Sequence, residues 1–334
     1  MKRLLPLLLI LLTVALFLAN LFFGSIRIPA SETLHVLLGS GATKESWTFI
    51  ILHSRIPAAV VALLTGASLA AAGLMLQTAF HNPLAGPDIL GINSGAGLGV
   101  AIVTLAFGGA LQTGAAVLGV QLSVVVAAFA GAMMVTGLLL ILSSFAKSST
   151  MLLIIGIMLS YLVSSAITLL NFFSTAEGVH SYTMWGMGTF GGVSLEQLPL
   201  FSLFAIVGLA VAVSLIKPLN ALLLGNHYAE NLGIPIKRTR TLLLLSTGLL
   251  VAVTTAYCGP ITFIGLAVPH IARLLLGTAD HKRLMPATLL CGSAVALLCN
   301  LLTTLPAGGR VLPLNAITPL IGAPVILFVI RKQR

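Results

Sequence analysis

Long apolar runs recur through the whole chain and constrain its fold more than any other feature. A helix that crosses a bilayer needs about 20 consecutive, mostly apolar residues. Ten candidate runs of roughly this length can be recognised in the sequence: 4–23, 56–79, 89–107, 115–143, 150–173, 199–216, 240–257, 262–276, 285–305 and 312–330. We therefore predict an all-α, polytopic membrane protein with about ten transmembrane helices, built as one transmembrane domain over residues 1–334.

The charged residues support this prediction and indicate how the chain is oriented in the membrane. Only 7% of the chain is charged, whereas soluble domains have about 25%. An even number of spans with cytoplasmic termini would place most cations inside: Lys2, Arg3, Lys147, Lys217, Lys237, Arg238, Arg240, Arg273, Lys282, Arg283, Arg331, Lys332 and Arg334. Only Arg27, Lys44, Arg55 and Arg310 would then lie outside. Because cytoplasmic loops favour Lys and Arg, the net charge of +10 indicates membrane topology and not a nucleic-acid surface.

The segment GLMLQTAFHNPLAGPDILG, residues 73–91, predicts a turn between the second and third runs. Gly66, Ala70, Gly73 and Gln77 fall along one line of a helix, and such small residues permit close helix packing. An amide facing lipid would be costly, so Gln77 is expected to face protein or a cavity. Asn82-Pro83 and Gly86-Pro87 then stop the helix.

Two other connecting segments are distinctive. The segment of about residues 217–240 contains LGNHYAENLGIP, which predicts a short helix ended by glycine and proline. Such a helix is too short to be stable alone, so it packs either on the protein body or on a partner. Residues 174–198 contain MWGMGTFGG, whose glycines permit tight bends in an ordered element. That element is either an interfacial helix with aromatic anchors or a gate.

Metal and redox chemistry find little support in the sequence. Cys258, Cys291 and Cys299 lie in apolar surroundings without CxxC spacing, which favours small buried side chains. His270 has no neighbouring carboxylate or cysteine, so we expect it to be structural. No G-x-x-x-x-G-K-[ST] motif is present, and the chain therefore has no phosphate loop of its own.

Three long motifs together resemble one family. They are GLMLQTAFHNPLAGPDILG, GPITFIGLAVPHIARLLLG with DHKRLMP after it, and LPLNAITPLIGAPVI. In this order they resemble the FecCD-type permeases, the membrane subunits of ABC importers for ferric siderophores, haem and cobalamin. The resemblance covers nearly the entire chain. It implies the BtuC-like permease fold of type II ABC importers, in the bacterial inner membrane.

The resemblance also implies partners. Two copies of the chain would form a homodimer around a central path, with two cytoplasmic ATPase subunits and one periplasmic or lipid-anchored substrate-binding protein. The chain itself would bind no cofactor, because ATP and Mg would be used by the ATPase. Motion of the ATPases would pass to the permease through the coupling segment, for which the matching residues are Gly225, Tyr228, Ala229, Glu230 and Gly233.

Other positions match the pathway and the outer surface. Those expected at the cytoplasmic gate and pathway are Gln77, Asn82, Pro83, Leu84, Ser149 and Thr150, and those at the outer mouth are Trp185, Gly186 and Gly188. Arg55 matches an arginine that docks the binding protein. The chain departs from the family at Ala58 and Thr304, where further arginines are common, at Val311 in place of Glu and at Asn300 in place of Asp. We expect Arg310 to substitute, so reversing the charge of Arg55 or Arg310 should weaken binding-protein association at low salt.

The sequence thus predicts a permease subunit that translocates a metal chelate, either an iron–siderophore or haem, with vitamin B12 as the alternative. A secondary transporter driven by ions would need charged groups within its spans. The seven carboxylates instead lie in loops or at span ends, and Asp88 is the nearest exception. An intramembrane enzyme would need a nucleophile with a base, which His270 and Arg273 do not provide.

Overall fold

The computed structural model describes residues 4–106, 117–146, 148–304 and 311–332, and all the regular elements in these ranges are helical. The α-helices are α1 (Leu5–Phe22), α2 (Ala30–Leu37), α3 (Glu45–Ile50), α4 (Ile56–Ala79), α5 (Ile92–Ala101), α6 (Val117–Phe145), α7 (Ser149–Phe173), α8 (Ala176–Gly186), α9 (Leu198–Ser214), α10 (Ile216–Leu222), α11 (Asn226–Asn231), α12 (Ile236–Cys258), α13 (Ile264–Leu276), α14 (His281–Thr304) and α15 (Leu314–Lys332). Two π-helical turns, Ile51–Arg55 and Ile102–Ala106, join α3 to α4 and extend α5. The all-α polytopic prediction is confirmed.

The helices differ in whether they are long enough to cross a bilayer. In the described part of the chain, six helical segments are long and apolar enough to do so: 5–22, 45–79, 122–145, 150–173, 236–258 and 281–304. The pair α9 and α10, bent by 49°, is a seventh if it counts as one span. Helical segments 92–105, 264–276 and 314–328 are apolar but shorter, and they coincide with the third, eighth and tenth predicted runs.

The helices α5 and α13 are short because each begins inside the bundle. The chain before α5 passes close to α7, where a methyl group on Gly156 would lie 2.9 Å from the Cα atom of Leu90. Gly156 is two turns into α7, so α5 starts at that depth. The start of α13 lies against the middle of α4, where a methyl on Gly73 would overlap the carbonyl of Gly265.

Helix α4 lies at the centre of the core, and most of its residues are buried. Its small residues explain this position, because they let neighbouring backbones approach closely. Gly66 faces Gly292 of α14 so closely that a methyl on either residue would overlap the carbonyl of the other. The line of small residues predicted from Gly66 to Gln77 therefore packs on α14 and α13.

Contacts between distant segments define two ends of the bundle. The α10 end comprises residues 80–84, 215–235 and 277–283, and it includes a hydrogen bond from Asn220 to Asp280. The α8 end comprises residues 23–55, 174–192 and 259–263, and there the Asn315 side chain bonds to the Gly186 carbonyl. Helix α1 runs parallel to α14, since its Thr13 and Asn20 bond to Leu290 and Leu297. It therefore begins at the α10 end, and α15 runs back from the α8 end.

Candidate functional site

A polar pair, of a buried glutamine and a half-buried arginine, links α4 to α13 near the α10 end. The guanidinium of Arg273 donates a 2.6 Å hydrogen bond from Nη1 to Oε1 of Gln77, and Gln77 Nε2 donates to the Leu266 carbonyl. Gln77 is 4% exposed. Its amide faces protein, and both of its polar atoms are engaged. This arrangement ties the last turns of α4 to α13.

Two histidines hold the segment that follows α4. His270 of α13 contacts the Pro83 carbonyl through Nε2 at 2.7 Å, and His81 contacts the Leu222 carbonyl of α10 at 2.8 Å. Asn82 Oδ1 accepts from the Leu84 amide, which closes a local turn. His81 has a φ of 47°, which is uncommon for a residue other than glycine. The predicted gate residues Asn82, Pro83 and Leu84 are therefore held by α13 and α10.

The same end contains a second network, which joins α4, α10 and α14. Asn220 Oδ1 accepts from the backbone amide of His281 at 2.8 Å and contacts its Nδ1 at 2.9 Å. His281 Nε2 contacts the Thr78 hydroxyl at 2.8 Å. Asp280 accepts from the Lys282 backbone amide and from Asn220 Nδ2, and these two hydrogen bonds, the first more than the second, lower the pKa of Asp280. The network thus connects α10 to the ends of both α4 and α14.

The predicted coupling segment forms a small helix with one buried side and one exposed side. Ala229 of α11 is fully buried and packs with Ala221 and Leu222 of α10. Tyr228 and Glu230 are exposed, as is Leu232 just after the helix. This surface, formed by Tyr228, Glu230 and Leu232, is here called the α11 face. A short helix anchored by alanine and presenting an aromatic ring, a carboxylate and an apolar side chain is suited to bind a partner.

Two glycines set the limits of α11 through backbone conformation. Gly225 precedes the helix with a φ of 100°, and Gly233 follows it with a φ of 78°. A methyl on either residue would meet no atom within 4 Å. Glycine is favoured here by its positive φ and not by lack of space. The amide of Gly233 donates to the Glu230 carbonyl, which ends the helix.

The glycine-rich segment after α8 is ordered by α12 and α15. Asn315 Nδ2 donates to the carbonyls of Gly186 at 2.9 Å and Pro260 at 2.6 Å. The Leu314 amide donates to the Gly188 carbonyl. Gly188 itself is buried and has a φ of 72°. The predicted outer-mouth residues Trp185, Gly186 and Gly188 therefore lie on one element fixed at the α8 end.

Arg55 is buried instead of projecting from the surface. Only 7% of its area is exposed, and its guanidinium donates to the carbonyls of Leu21, Phe22 and Ile26. These carbonyls belong to the end of α1 and the chain after it, where backbone acceptors lack helical partners. In this conformation the guanidinium would have to leave them to reach a binding protein. Docking by Arg55 stays a prediction, and Arg310 lies outside the described residues.

A cavity of about 370 Å³ adjoins Arg55 at the α8 end. It is also lined by Ala58 and Thr304, the positions at which the family commonly has arginines, and by the amides Asn20 and Asn300. Asn300 donates to Asn20 at 2.8 Å. The four departures from the family pattern, Ala58, Asn300, Thr304 and Val311, therefore all line this one cavity.

Some site residues were predicted and others were missed. Thr150 lies exposed in the first turn of α7, whereas the Ser149 side chain lies outside what the structure describes. Arg273, His270, Asn220 and Asn315 had no predicted role at the gate or the mouth, although all four make the long-range contacts described above. The only available signal was a polar side chain within or beside an apolar run.

Asp88 lies within the protein between α4 and α5. Its Oδ1 atom accepts a 2.5 Å hydrogen bond from Asn93, whose own Oδ1 accepts from Thr255 at 2.7 Å. The Phe263 amide also bonds to Asp88. Within the described ranges, no group of three or more His, Cys, Asp or Glu side chains could hold a metal ion. The polar contacts of Asp88 join four segments and resemble a structural network.

The chain is similar in sequence to a family of transport proteins. The chain matches the model of the FecCD transport family over residues 11–332. It is 37% identical over 280 residues to a protein of Citrobacter koseri named vitamin B12 import system permease protein BtuC. The match covers 84% of this chain and 82% of the Citrobacter koseri protein. A protein of the same name from Klebsiella pneumoniae subsp. pneumoniae is 37% identical over 285 residues, covering 85% and 83%.

A solved structure is similar over almost the full length. It is described as an inward-facing conformation of a metal-chelate type ABC transporter, and it superimposes with a TM-score of 0.82. The sequence identity is 30%, and the match covers 98% of each chain.

Proposed function

Because this chain belongs to the FecCD transport family, we propose that it is the permease of an importer for vitamin B12. The coarser part of this statement, a permease subunit of an ABC importer of the metal-chelate or B12 type, rests on one observation, the family match over residues 11–332. The choice of vitamin B12 rests on the names of relatives at 37% identity.

A metal chelate is the second candidate substrate. The sequence alone favoured an iron–siderophore or haem, because these are common substrates of such importers and no residue distinguished them. The relatives favour the alternative, vitamin B12, whereas the similar solved structure is described as being of the metal-chelate type. All these substrates are large and partly apolar, which suits a path with few fixed charges.

The chain is a transport component, and we propose that two separate ATPase subunits supply its energy by binding the α11 faces of two permeases. The exposed tyrosine, glutamate and leucine of that face support this proposal. The proposal of two permease copies rests on the family, because the apolar side chains that α7 exposes, including Tyr161, Leu162 and Phe172, would suit lipid as well as a second copy. One binding protein would dock at the α8 end.

The membrane orientation follows from charge. The α10 end contains or adjoins Lys217, Lys237, Arg238, Lys282 and Arg283. Arg27, Lys44 and Arg55 belong to the α8 end. Since cytoplasmic segments are enriched in Lys and Arg, we place the α10 end in the cytoplasm of a bacterium and both termini with it, in the inner membrane.

Reconstitution would test the substrate. The permease, its ATPase and its binding protein would be placed in proteoliposomes, and ATP-driven uptake of cobalamin, a ferric siderophore and haem would be compared at equal concentrations. We expect cobalamin to be taken up at least tenfold faster than the others. Liposomes without ATPase provide the background. Preferred uptake of an iron chelate would replace the B12 proposal but keep the permease assignment.

A further inference from the structure

A groove at the α10 end lies between α1, the end of α13 and the start of α14. Its volume is about 660 Å³. The apolar side chains of Leu9, Leu276, Pro286 and Leu290 line it together with the two cations Lys282 and Arg283. It therefore combines an apolar surface with positive charge at the level where α1 and α14 begin.

The two cations lie near one carboxylate, that of Asp280, but neither forms a close ion pair with it. Both side chains are exposed, and neither forms an ion pair within 4.0 Å with an acidic side chain among the described residues. Asp280 is the nearest carboxylate in sequence, but its Oδ1 already accepts from the Asn220 side chain and the Lys282 backbone amide. Two cations thus lie beside one carboxylate that is already hydrogen-bonded, so a net positive charge remains and an anion would be stabilised here.

The apolar part of the groove continues onto the surface of α1. Ile10, one turn after the groove residue Pro6, is 46% exposed, whereas Leu9 is buried beside the groove. An exposed isoleucine in this position is accommodated by hydrocarbon and not by water. A ligand in the groove would therefore contact lipid on one side and the two cations at the α10 end.

We propose that this groove binds one anionic phospholipid of the surrounding bilayer. Its phosphate would lie between Lys282 and Arg283, and one acyl chain would pass over Leu9 and Leu290 towards the exposed Ile10 of α1. Basic pockets between transmembrane helices bind anionic headgroups by the same combination of charge and apolar contact. The bound lipid would join α1 to α14 beside the Asp280–Asn220 network.

Lipid binding to the purified full-length chain would test the proposal. Native mass spectrometry would count retained phosphatidylglycerol and phosphatidylcholine after titration in detergent. We expect one phosphatidylglycerol to bind preferentially, and its affinity to fall roughly fivefold for each charge removed in the double variant K282Q/R283Q. The matched control is K237Q/R238Q, which removes two exposed cations at the same end that do not line the groove.

A second variant separates the groove from simple surface charge. Pro286→Trp keeps both cations but fills the groove, and it should also reduce phosphatidylglycerol retention. Thermal unfolding in detergent would verify that each variant is folded. The proposal would be overturned if both double variants lost phosphatidylglycerol binding equally, or if Pro286→Trp retained it unchanged. It would also be overturned if glycerol phosphate competed with phosphatidylglycerol for the site. Loss of ATPase association in K282Q/R283Q without loss of lipid would overturn it as well, because the cations would then serve the partner.

Discussion

At the scale of single residues, one buried and one half-buried cation, Arg55 and Arg273, are bound by neutral acceptors. Arg273 donates to the Gln77 amide, and Arg55 donates to three backbone carbonyls. Burying a charge without a partner costs several kcal/mol, and hydrogen bonds to charged groups reduce this cost. Gln77 therefore matters as the acceptor for a guanidinium as well as a packing residue.

Replacing Gln77 by leucine should show this dependence. The Gln77→Leu variant leaves the half-buried Arg273 without its acceptor, so we expect the free energy of unfolding to fall by about 1–3 kcal/mol and ATP-driven uptake to fall with it. The double variant Q77L/R273M removes both polar groups and should recover part of the stability. The measurement is thermal unfolding in detergent for both single variants and the double variant. Additive losses in the double variant would mean that the two side chains are not coupled.

At the scale of helices, the apolar runs predicted nearly every long element, because burial in lipid fixes their length and composition. The sequence also predicted that α11 would be short and would be ended by glycine and proline. It could not predict how deep α5 and α13 begin, since this depth depends on close contacts such as Gly73 with Gly265. Nor could it pair Asn315 with Gly186, which lies 129 residues away in the chain.

The coupling role of α11 can be tested at its terminal glycine. Gly233→Leu places a bulky side chain in open space beside the α11 face and at a positive φ. We expect normal insertion into the membrane but at least a fivefold lower ratio of uptake to ATP hydrolysis, because the ATPase would meet the new side chain.

The matched control for this variant is Gly39→Leu. Gly39 has a φ of 83°, and a methyl on it would likewise meet no atom within 4 Å, but it belongs to the α8 end. The substitution introduces similar backbone strain, about 1–2 kcal/mol, far from the ATPase. Equal uncoupling in both variants would attribute the effect to strain, and normal coupling in Gly233→Leu would remove this contact from the proposal.

At the scale of the whole molecule, the two ends are built for different partners. The α10 end combines cations, the α11 face and two polar networks that reach α4, α13 and α14. The α8 end has the fixed glycine segment and the cavity beside Arg55. Between the ends, Asp88 is the carboxylate that lies deepest among the described residues, and hydrogen bonds from Asn93 and Phe263 occupy it. A conduit moved by a partner needs rigid connections of this kind and no titrating group along its path.

The substitution Asp88→Asn distinguishes a conduit moved by a partner ATPase from a transporter driven by an ion gradient. The substitution keeps one acceptor oxygen but places a donor where the second was, so we expect stability to fall by about 1–3 kcal/mol. Uptake per folded complex in proteoliposomes should still require ATP and should stay within about twofold of the unmodified protein, since the energy enters through the ATPase. Glu196→Gln, at an exposed position, controls for the loss of one charge. If a proton gradient alone drove uptake without the ATPase, and Asp88→Asn abolished it, the carboxylate would be a coupling group and the energy source would lie within this chain.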